Sequence, residues 1–285
     1  MAKDTFLNRK TTLNLNGRLF DLTKPQVMAI LNITPDSFYH ISRTNSIEEA
    51  LIKTASFLKA GAAIIDIGAY SSRPGAAEVS EAEEINRVVP IIQAISKSFP
   101  EAIISIDTFR AAVARAGIEA GAHIVNDISG GELDEDMFAT VAQLDVPYIL
   151  MHMKGRPQNM HINPNYEDVV LELVDYFSEK VAKLRALGVK DIILDPGFGF
   201  AKNRDHSYEL LNHLEDFKIF GLSLLVGFSR KSMIHGFLDV STDDALNGTT
   251  VLNTIALQKG ASILRVHDVT PALECIKLVA RTQQR

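Results

Sequence analysis

The chain has 285 residues, 46% hydrophobic and 22% charged, with a formal net charge of −6; this is the composition of a globular protein with a sizeable core. The negative balance argues against a nucleic-acid-binding surface, which needs clustered Lys and Arg, and a single cysteine, Cys275, excludes an intrachain disulfide and points to a reducing, cytoplasmic compartment. The opening stretch MAKDTFLNRKTTLNLNG has neither the apolar run nor the small-residue cleavage site of a signal peptide, and no apolar run reaches the roughly 18 residues of a membrane span.

Residues 12–22, TLNLNGRLFDL, alternate apolar and polar about Asn16-Gly17, a dipeptide suited to the positive φ angles of a two-residue hairpin turn. A short hairpin over about 11–22 is therefore expected. Eight short apolar runs rich in Ile, Val and Leu follow: Gln26–Asn32, Ala62–Gly68, Ala102–Asp107, His123–Asp127, Val146–His152, Asp191–Asp195, Ser223–Gly227 and Ser262–His267. Such runs suit parallel strands buried on both faces. Helical segments lie between them. Ser46 with Glu49 and Ser80 with Glu83 fit the S-x-x-E capping box; Ile47, Leu51, Ala55 and Leu58 repeat at helical spacing; Tyr166–Leu187 reads as one long helix; Pro271 suits the first turn of the last helix. Eight strands alternating with helices over some 250 residues predict a (β/α)8 TIM barrel, with an open doubly wound sheet as the competing arrangement. No linker or low-complexity tract divides the chain, so 1–285 is expected to be a single domain, with the barrel over about 26–285.

In such a barrel the reactive groups belong at the C-terminal strand ends. Here they are Asn32; Asp66 and Gly68; Asp107; Asn126 and Asp127; Met151 and His152; Asp195; Gly227; and Arg265 and His267. Any one of these reads first as a strand-closing turn residue; polar or ionisable residues at nearly every strand end of one rim point to a ligand that needs several amide and carboxylate contacts. The loop DPGFGFAK, residues 195–202, fails the G-x-x-x-x-G-K-[ST] test for a nucleotide P-loop. GFSRKS, residues 227–232, adds Arg230 and Lys231 after the seventh strand. Arg265 and His267 share one side of the eighth strand, next to where such barrels bind phosphate. Asp195 suits a fork of N–H groups on a heterocycle, Asn126 can donate and accept, and Phe198 and Phe200 are candidates to pack on an aromatic ring or in the core. A polar heterocycle carrying a phosphate or pyrophosphate is the expected ligand.

The stretches ILNITPDSF, GAAIIDIGAYSSRPGA, SIDT, HIVNDISG, LMHMKGRP, DPGFGF, VGFSRKS and LRVHDV, in this order from about residue 26 to 269, resemble dihydropteroate synthase of folate biosynthesis. The resemblance implies a transferase joining p-aminobenzoate to a dihydropterin pyrophosphate, by pyrophosphate loss to a pterin cation and attack of the aromatic amine, with Mg²⁺ accompanying the pyrophosphate. It implies a cytoplasmic homodimer with small-molecule substrates. By position, the pterin falls to Asp107, Asn126, Ile128, Met151, Asp195, Gly227 and Lys231, with Asp107 stabilising the developing positive charge. The pyrophosphate falls to Asn32, Arg265 and His267, with Asn32 also near the metal. The p-aminobenzoate falls to Ser72, Arg73, Pro74, Phe200, Ser229 and Lys231; Asp107, Lys231 and Arg73 are the catalytic candidates.

The family's loops commonly read TPDSFSDGG and GESTRPG. Here His40 stands for the second aspartate, the glycine pair is gone, Tyr70 stands for the acid, and Ser72 for the threonine. A pterin-dependent methyltransferase with a cobalamin partner would share the Asp and Asn strand ends but has no reason to keep SSRPG, FSRK and RVHD together. A pterin-binding paralogue without catalysis would bind pterin and release no pyrophosphate.

Overall fold

The computed structural model describes residues 9–33, 43–70, 79–157, 160 and 164–283. Thr12–Leu15 (β1) and Arg18–Asp21 (β2) pair antiparallel. Asn16 and Gly17 between them have φ of 52° and 88°, the left-handed pair of a type I′ turn, which the Asn-Gly sequence admits at little strain. The expected leading hairpin is present.

Eight parallel strands then close into a barrel: Gln26–Asn32 (β3), Ile64–Gly68 (β4), Ile103–Asp107 (β5), Ile124–Asp127 (β6), Tyr148–Met151 (β7), Ile192–Asp195 (β8), Ser223–Val226 (β9) and Ile263–Val266 (β10). They neighbour one another in sequence order, and β10 pairs with β3 to complete the ring. The open sheet is thus excluded.

The helices are Arg43–Ala60 (α1), Glu81–Ser98 (α2), Ala111–Glu119 (α3), Met137–Leu144 (α4), Val169–Ala186 (α5), Arg204–Asn212 (α6), Ser232–Leu238 (α7), Leu246–Gln258 (α8) and Val269–Gln283 (α9). Four helix readings change. α1 begins at Arg43, so Ser46 lies inside the helix rather than ahead of its first turn. Ala55 is exposed, and Ala50 and Thr54 are buried in its place. Ser80 does cap α2, accepting from Glu83 N at 3.3 Å, but Glu83 turns its own carboxylate to Arg87 one turn on. The long helix is shorter than expected because Asp168 accepts from the N–H groups of Val170 and Leu171, both at 2.9 Å, and so starts α5 at Val169. No helix among the described residues is long and apolar enough to cross a membrane.

Strand side chains alternate between the barrel interior and the helix layer. One inward residue per strand (Met28, Ile64, Ile103, Ile124, Ile149, Ile193, Leu225 and Ile263) packs with Leu13, Leu15 and Leu22 of the hairpin region in one cluster. The hairpin therefore plugs the N-terminal end of the barrel, and the plugged end leaves only the other end for a ligand. Each buried aliphatic side chain contributes about 1.5–3 kcal/mol. Outward residues such as Val27, Ile65, Ile104, Val125, Leu150, Leu194, Leu224 and Leu264 pack under the helices with Cys275.

Asp127 follows the outward phase of Val125, and the structure removes it from the rim. Its Oδ1 accepts from Ser129 N and Oγ at 2.7 and 2.8 Å, and its Oδ2 from Gly131 N at 2.8 Å and Tyr148 Oη at 2.7 Å. Burial still pushes this carboxyl up. Tyr148→Phe should destabilise the fold by about 1–2 kcal/mol, read as a lower urea midpoint, with unaltered ligand affinity; a loss of affinity at constant stability would contradict this structural role.

Candidate active site

A cavity of about 710 Å³ opens at the C-terminal strand ends. Above the apolar layer, the inward phase brings Asp66, Ser105, Asn126, Met151, Asp195, Gly227 and Arg265 one step up, and Asn32, Asp107 and His267 further out. The ladder is set by register: Asp107 lies beside Asn126, and Met151 beside Asp195. His152, one residue past Met151, takes the other phase and is not a rim group.

Arg265 is the electrostatic centre. Its Nε donates to Asp66 Oδ2 and its Nη2 to Asp107 Oδ2, both at 2.6 Å. Asn126 Nδ2 donates to the same Asp66 oxygen at 3.1 Å. Gly68 makes room for this arrangement, because a Cβ there would lie 3.2 Å from the Asp107 side chain. Burial pushes the Asp107 carboxyl up to about 7; Arg265 opposes the rise, while Asp66, Glu84 and Asp127 add to it. The two carboxylates hold the Arg265 guanidinium above its usual range despite its burial.

Asp195 sits at a turn that only glycine can complete. Gly197 has φ of 70°, and a Cβ there would meet His152 O at 2.2 Å; its N–H donates to Asp195 Oδ1 at 2.8 Å. This fixes the carboxylate and leaves Oδ2 unused by the turn. Burial raises the Asp195 carboxyl, with Lys231 opposing. Lys231 Nζ donates to Phe198 O at 2.5 Å and lies 4.6 Å from the Phe200 ring centre. Burial lowers its ammonium to about 8, with Asp195 resisting. Phe200 lines the cavity. Phe198 does not: it is fully buried against Phe228, ring centres 4.5 Å apart. Lys202 is also structural, its Nζ donating to the carbonyls of His152 and Phe200 at 3.2 and 3.1 Å, and burial depresses it well below the usual lysine range.

Ser229 Oγ lies 2.9 Å from His267 Nδ1. Burial and then Arg265 lower the His267 imidazole to about 4, so it is neutral at pH 7. The expected anion-binding pair of Arg230 and Lys231 is split. Arg230 grips Asp268 through Nε and Nη2 at 2.9 and 3.0 Å and donates to the carbonyls of Thr242 and Asp243, so its charge is committed at the cavity edge. Asn32 ends β3 exposed. Among the described residues no group of three or more His, Cys, Asp or Glu side chains is placed to hold a metal ion. The Asn32 amide oxygen is a hard donor of the kind Mg²⁺ takes when water and a substrate phosphate supply the other oxygens, so the residues fit a substrate-borne ion.

Comparison with known proteins favours the synthase over the methyltransferase. Residues 28–267 match the pterin binding enzyme family. The dihydropteroate synthase of Escherichia coli strain K12 is 44% identical over 268 residues, covering 93% of this chain and 94% of the relative. The chain belongs to the dihydropteroate synthase family. The crystal structure of Yersinia pestis dihydropteroate synthase in complex with a sulfonamide drug superposes with a TM-score of 0.88 at 43% identity, covering 95% of this chain and 99% of the other. Xanthomonas albilineans dihydropteroate synthase with 4-aminobenzoic acid gives a TM-score of 0.88 at 33% identity, covering 96% and 99%.

The residues that the family resemblance assigns to the pterin (Asp107, Asn126, Ile128, Met151, Asp195, Gly227 and Lys231) all line the one cavity, as do Asn32, Arg265, His267, Phe200 and Ser229. Ser72, Arg73 and Pro74, and the variant His40, lie outside the described residues. Six cavity residues escaped the sequence reading: Ile30, Thr108, Phe109, His235, Thr242 and Asp243. Phe109 is met edge-on by Tyr70, ring centres 4.9 Å apart, with the Arg110 guanidinium over both rings. Tyr70, standing where the family commonly has an acid, thus adds to an aromatic wall. An aromatic directly after a strand-end Thr was the available signal for Phe109.

Proposed function

We propose that this chain condenses 6-hydroxymethyl-7,8-dihydropterin pyrophosphate with p-aminobenzoate to 7,8-dihydropteroate and pyrophosphate. The observation that carries this reading is the convergence of Asp107, Asn126, Asp195 and Lys231 on a single cavity that Arg265 and His267 also line. Asp195 accepts from the amino-pyrimidine edge of the pterin, Asn126 donates to and accepts from the ring, and Ile128 and Met151 pack on its face. Asp107, freed from Arg265 when an anion takes the guanidinium, lies where positive charge develops as the pyrophosphate departs; a fixed carboxylate in a poorly hydrated site stabilises that charge without reorganising. Arg265, His267 and Asn32 receive the departing diphosphate. A diphosphate anion beside His267 favours its protonated form. Mg²⁺, when bound with the diphosphate, neutralises leaving-group charge, with Asn32 as a protein ligand. Phe200, Ser229 and the stem of Lys231 form one side of the p-aminobenzoate site, to which Ser72, Arg73 and Pro74 belong by family position. No covalent enzyme intermediate is involved. We further place the chain in the cytoplasm as a homodimer; a sedimentation mass of one chain at micromolar concentration would remove the dimer.

The test is pyrophosphate release by the purified protein given the dihydropterin pyrophosphate and Mg²⁺, with and without p-aminobenzoate. Dihydropteroate formation that depends on p-aminobenzoate, and that a sulfonamide inhibits competitively against it, is the expected result. Pterin binding without pyrophosphate release would refute the synthase reading.

A further inference from the structure

Asp66 belongs to none of the ligand-binding groups assigned above, yet it is bonded to two of them. Its side chain is 0% exposed. Its Oδ2 accepts from both Arg265 Nε and Asn126 Nδ2, and its Oδ1 is buried with no hydrogen-bond partner among the described residues. Burying a carboxylate with one oxygen unsatisfied is costly, and a core that needed only a neutral filler at β4 would hold a smaller apolar residue. What this carboxylate does is grip Arg265 by its inner nitrogen. The grip on Asp107, by contrast, is made at the outer nitrogen, where the Asp107 side chain is 20% exposed. One contact is enclosed and the other faces the cavity, so an incoming anion competes for the outer one only.

We propose that Asp66 is the positioning residue of the diphosphate site: it anchors Arg265 through Nε, so that the guanidinium can exchange Asp107 for the diphosphate while keeping its place, and through Asn126 it ties that place to the pterin ring. The exchange is a coupled event. The diphosphate takes Nη2, and the carboxylate of Asp107 is released next to the carbon from which the diphosphate leaves. This rests on the assignment of Arg265 to the diphosphate.

Two roles for Asp66 differ in the sign of their effect. If Asp66 only neutralises Arg265, removing its charge strengthens the attraction of Arg265 for an anion. If it positions Arg265, removing its charge loosens the guanidinium and weakens anion binding. Asp66→Asn is suited to decide, because the amide keeps one acceptor oxygen for Arg265 and Asn126 and turns its NH₂ to the place of the partnerless Oδ1. Inorganic pyrophosphate with Mg²⁺ is the probe, titrated calorimetrically onto each full-length variant, beside a dihydropterin that lacks the diphosphate. In Asp66→Asn the pyrophosphate affinity should fall about tenfold, with the bare pterin changed by less than about threefold. Arg265→Lys keeps the charge but cannot bridge two partners with a rigid fork, and should lose nearly as much as Arg265→Ala. Pyrophosphate binding that is equal or tighter in Asp66→Asn, or an Arg265→Lys variant close to wild type, would overturn the proposal; the lysine variant keeps the test open should the buried Asn variant fold poorly. If Arg265→Ala itself binds pyrophosphate normally, the diphosphate assignment fails and the role of Asp66 falls with it.

Discussion

Asp195→Asn is expected to lower kcat/KM for the dihydropterin substrate by about 100- to 10,000-fold while leaving the fold intact. The turn needs only Asp195 Oδ1, which accepts from Gly197 N at 2.8 Å, and an asparagine carbonyl does this equally well. The loss comes from the other oxygen. An amide NH₂ in place of Oδ2 meets the N–H groups of the amino-pyrimidine edge with a donor, so two charge-assisted bonds of about 1.5–3 kcal/mol each are exchanged for a clash of donors. A second consequence follows from charge. Lys231, lowered by burial to about 8, is held there against further depression by Asp195. Without that carboxylate the ammonium releases its proton at lower pH, so any alkaline limb of the activity profile set by Lys231 moves toward neutrality. Kinetics within a few-fold of wild type at unchanged thermal stability would remove Asp195 from the pterin site.

The difference between Asp195 and Asp127 shows what the chain makes legible. Both are aspartates at the end of a short apolar run, and both are buried. Alternation along the strand separates them: Asp127 shares the outward phase of Val125, and His152 that of Leu150, so neither reaches the cavity, whereas Asn126, Met151 and Asp195 take the inward phase. That much is readable once the first inward residue is known, and the strand spans themselves differ from expectation by no more than two residues at either end. The commitment of each charge is not readable. Arg230 stands beside Lys231 in sequence, yet bonds Asp268 and the carbonyls of Thr242 and Asp243. Asp66 meets Arg265 across 199 residues of sequence, a pairing that exists only because the barrel closes β10 beside β3 and β4 follows. Local periodicity governs which way a side chain points; closure of the ring decides which other charge it meets.

Asp107→Asn should lower kcat by about 100- to 1,000-fold, the usual cost of removing one preorganised group that faces transition-state charge, and should at the same time make the protein more stable at neutral and alkaline pH. The carboxyl is pushed from 3.8 up to about 7, by burial first, with Asp66, Glu84 and Asp127 adding to it and Arg265 opposing. Below about pH 4 it is protonated in the folded and unfolded chain alike and contributes nothing to the difference between them. As pH rises from about 4 to 7 the unfolded chain releases this proton and the folded chain keeps it, so the folded state binds more protons and loses stability. Above pH 7 the full cost of an ionised Asp107 is carried by the native state. An asparagine has no such cost, and Arg265 retains Asp66 as its ion-pair partner. The melting temperatures of variant and wild type should therefore converge near pH 4 and separate, variant higher, up to about pH 8. Activity moves the opposite way, because the ionised carboxylate that weakens the empty protein is the form that stabilises a pterin cation. If the variant is instead less stable at pH 8 than wild type, the Asp107–Arg265 contact holds the fold together rather than waiting for substrate, and the exchange of Arg265 between carboxylate and diphosphate would have to be abandoned.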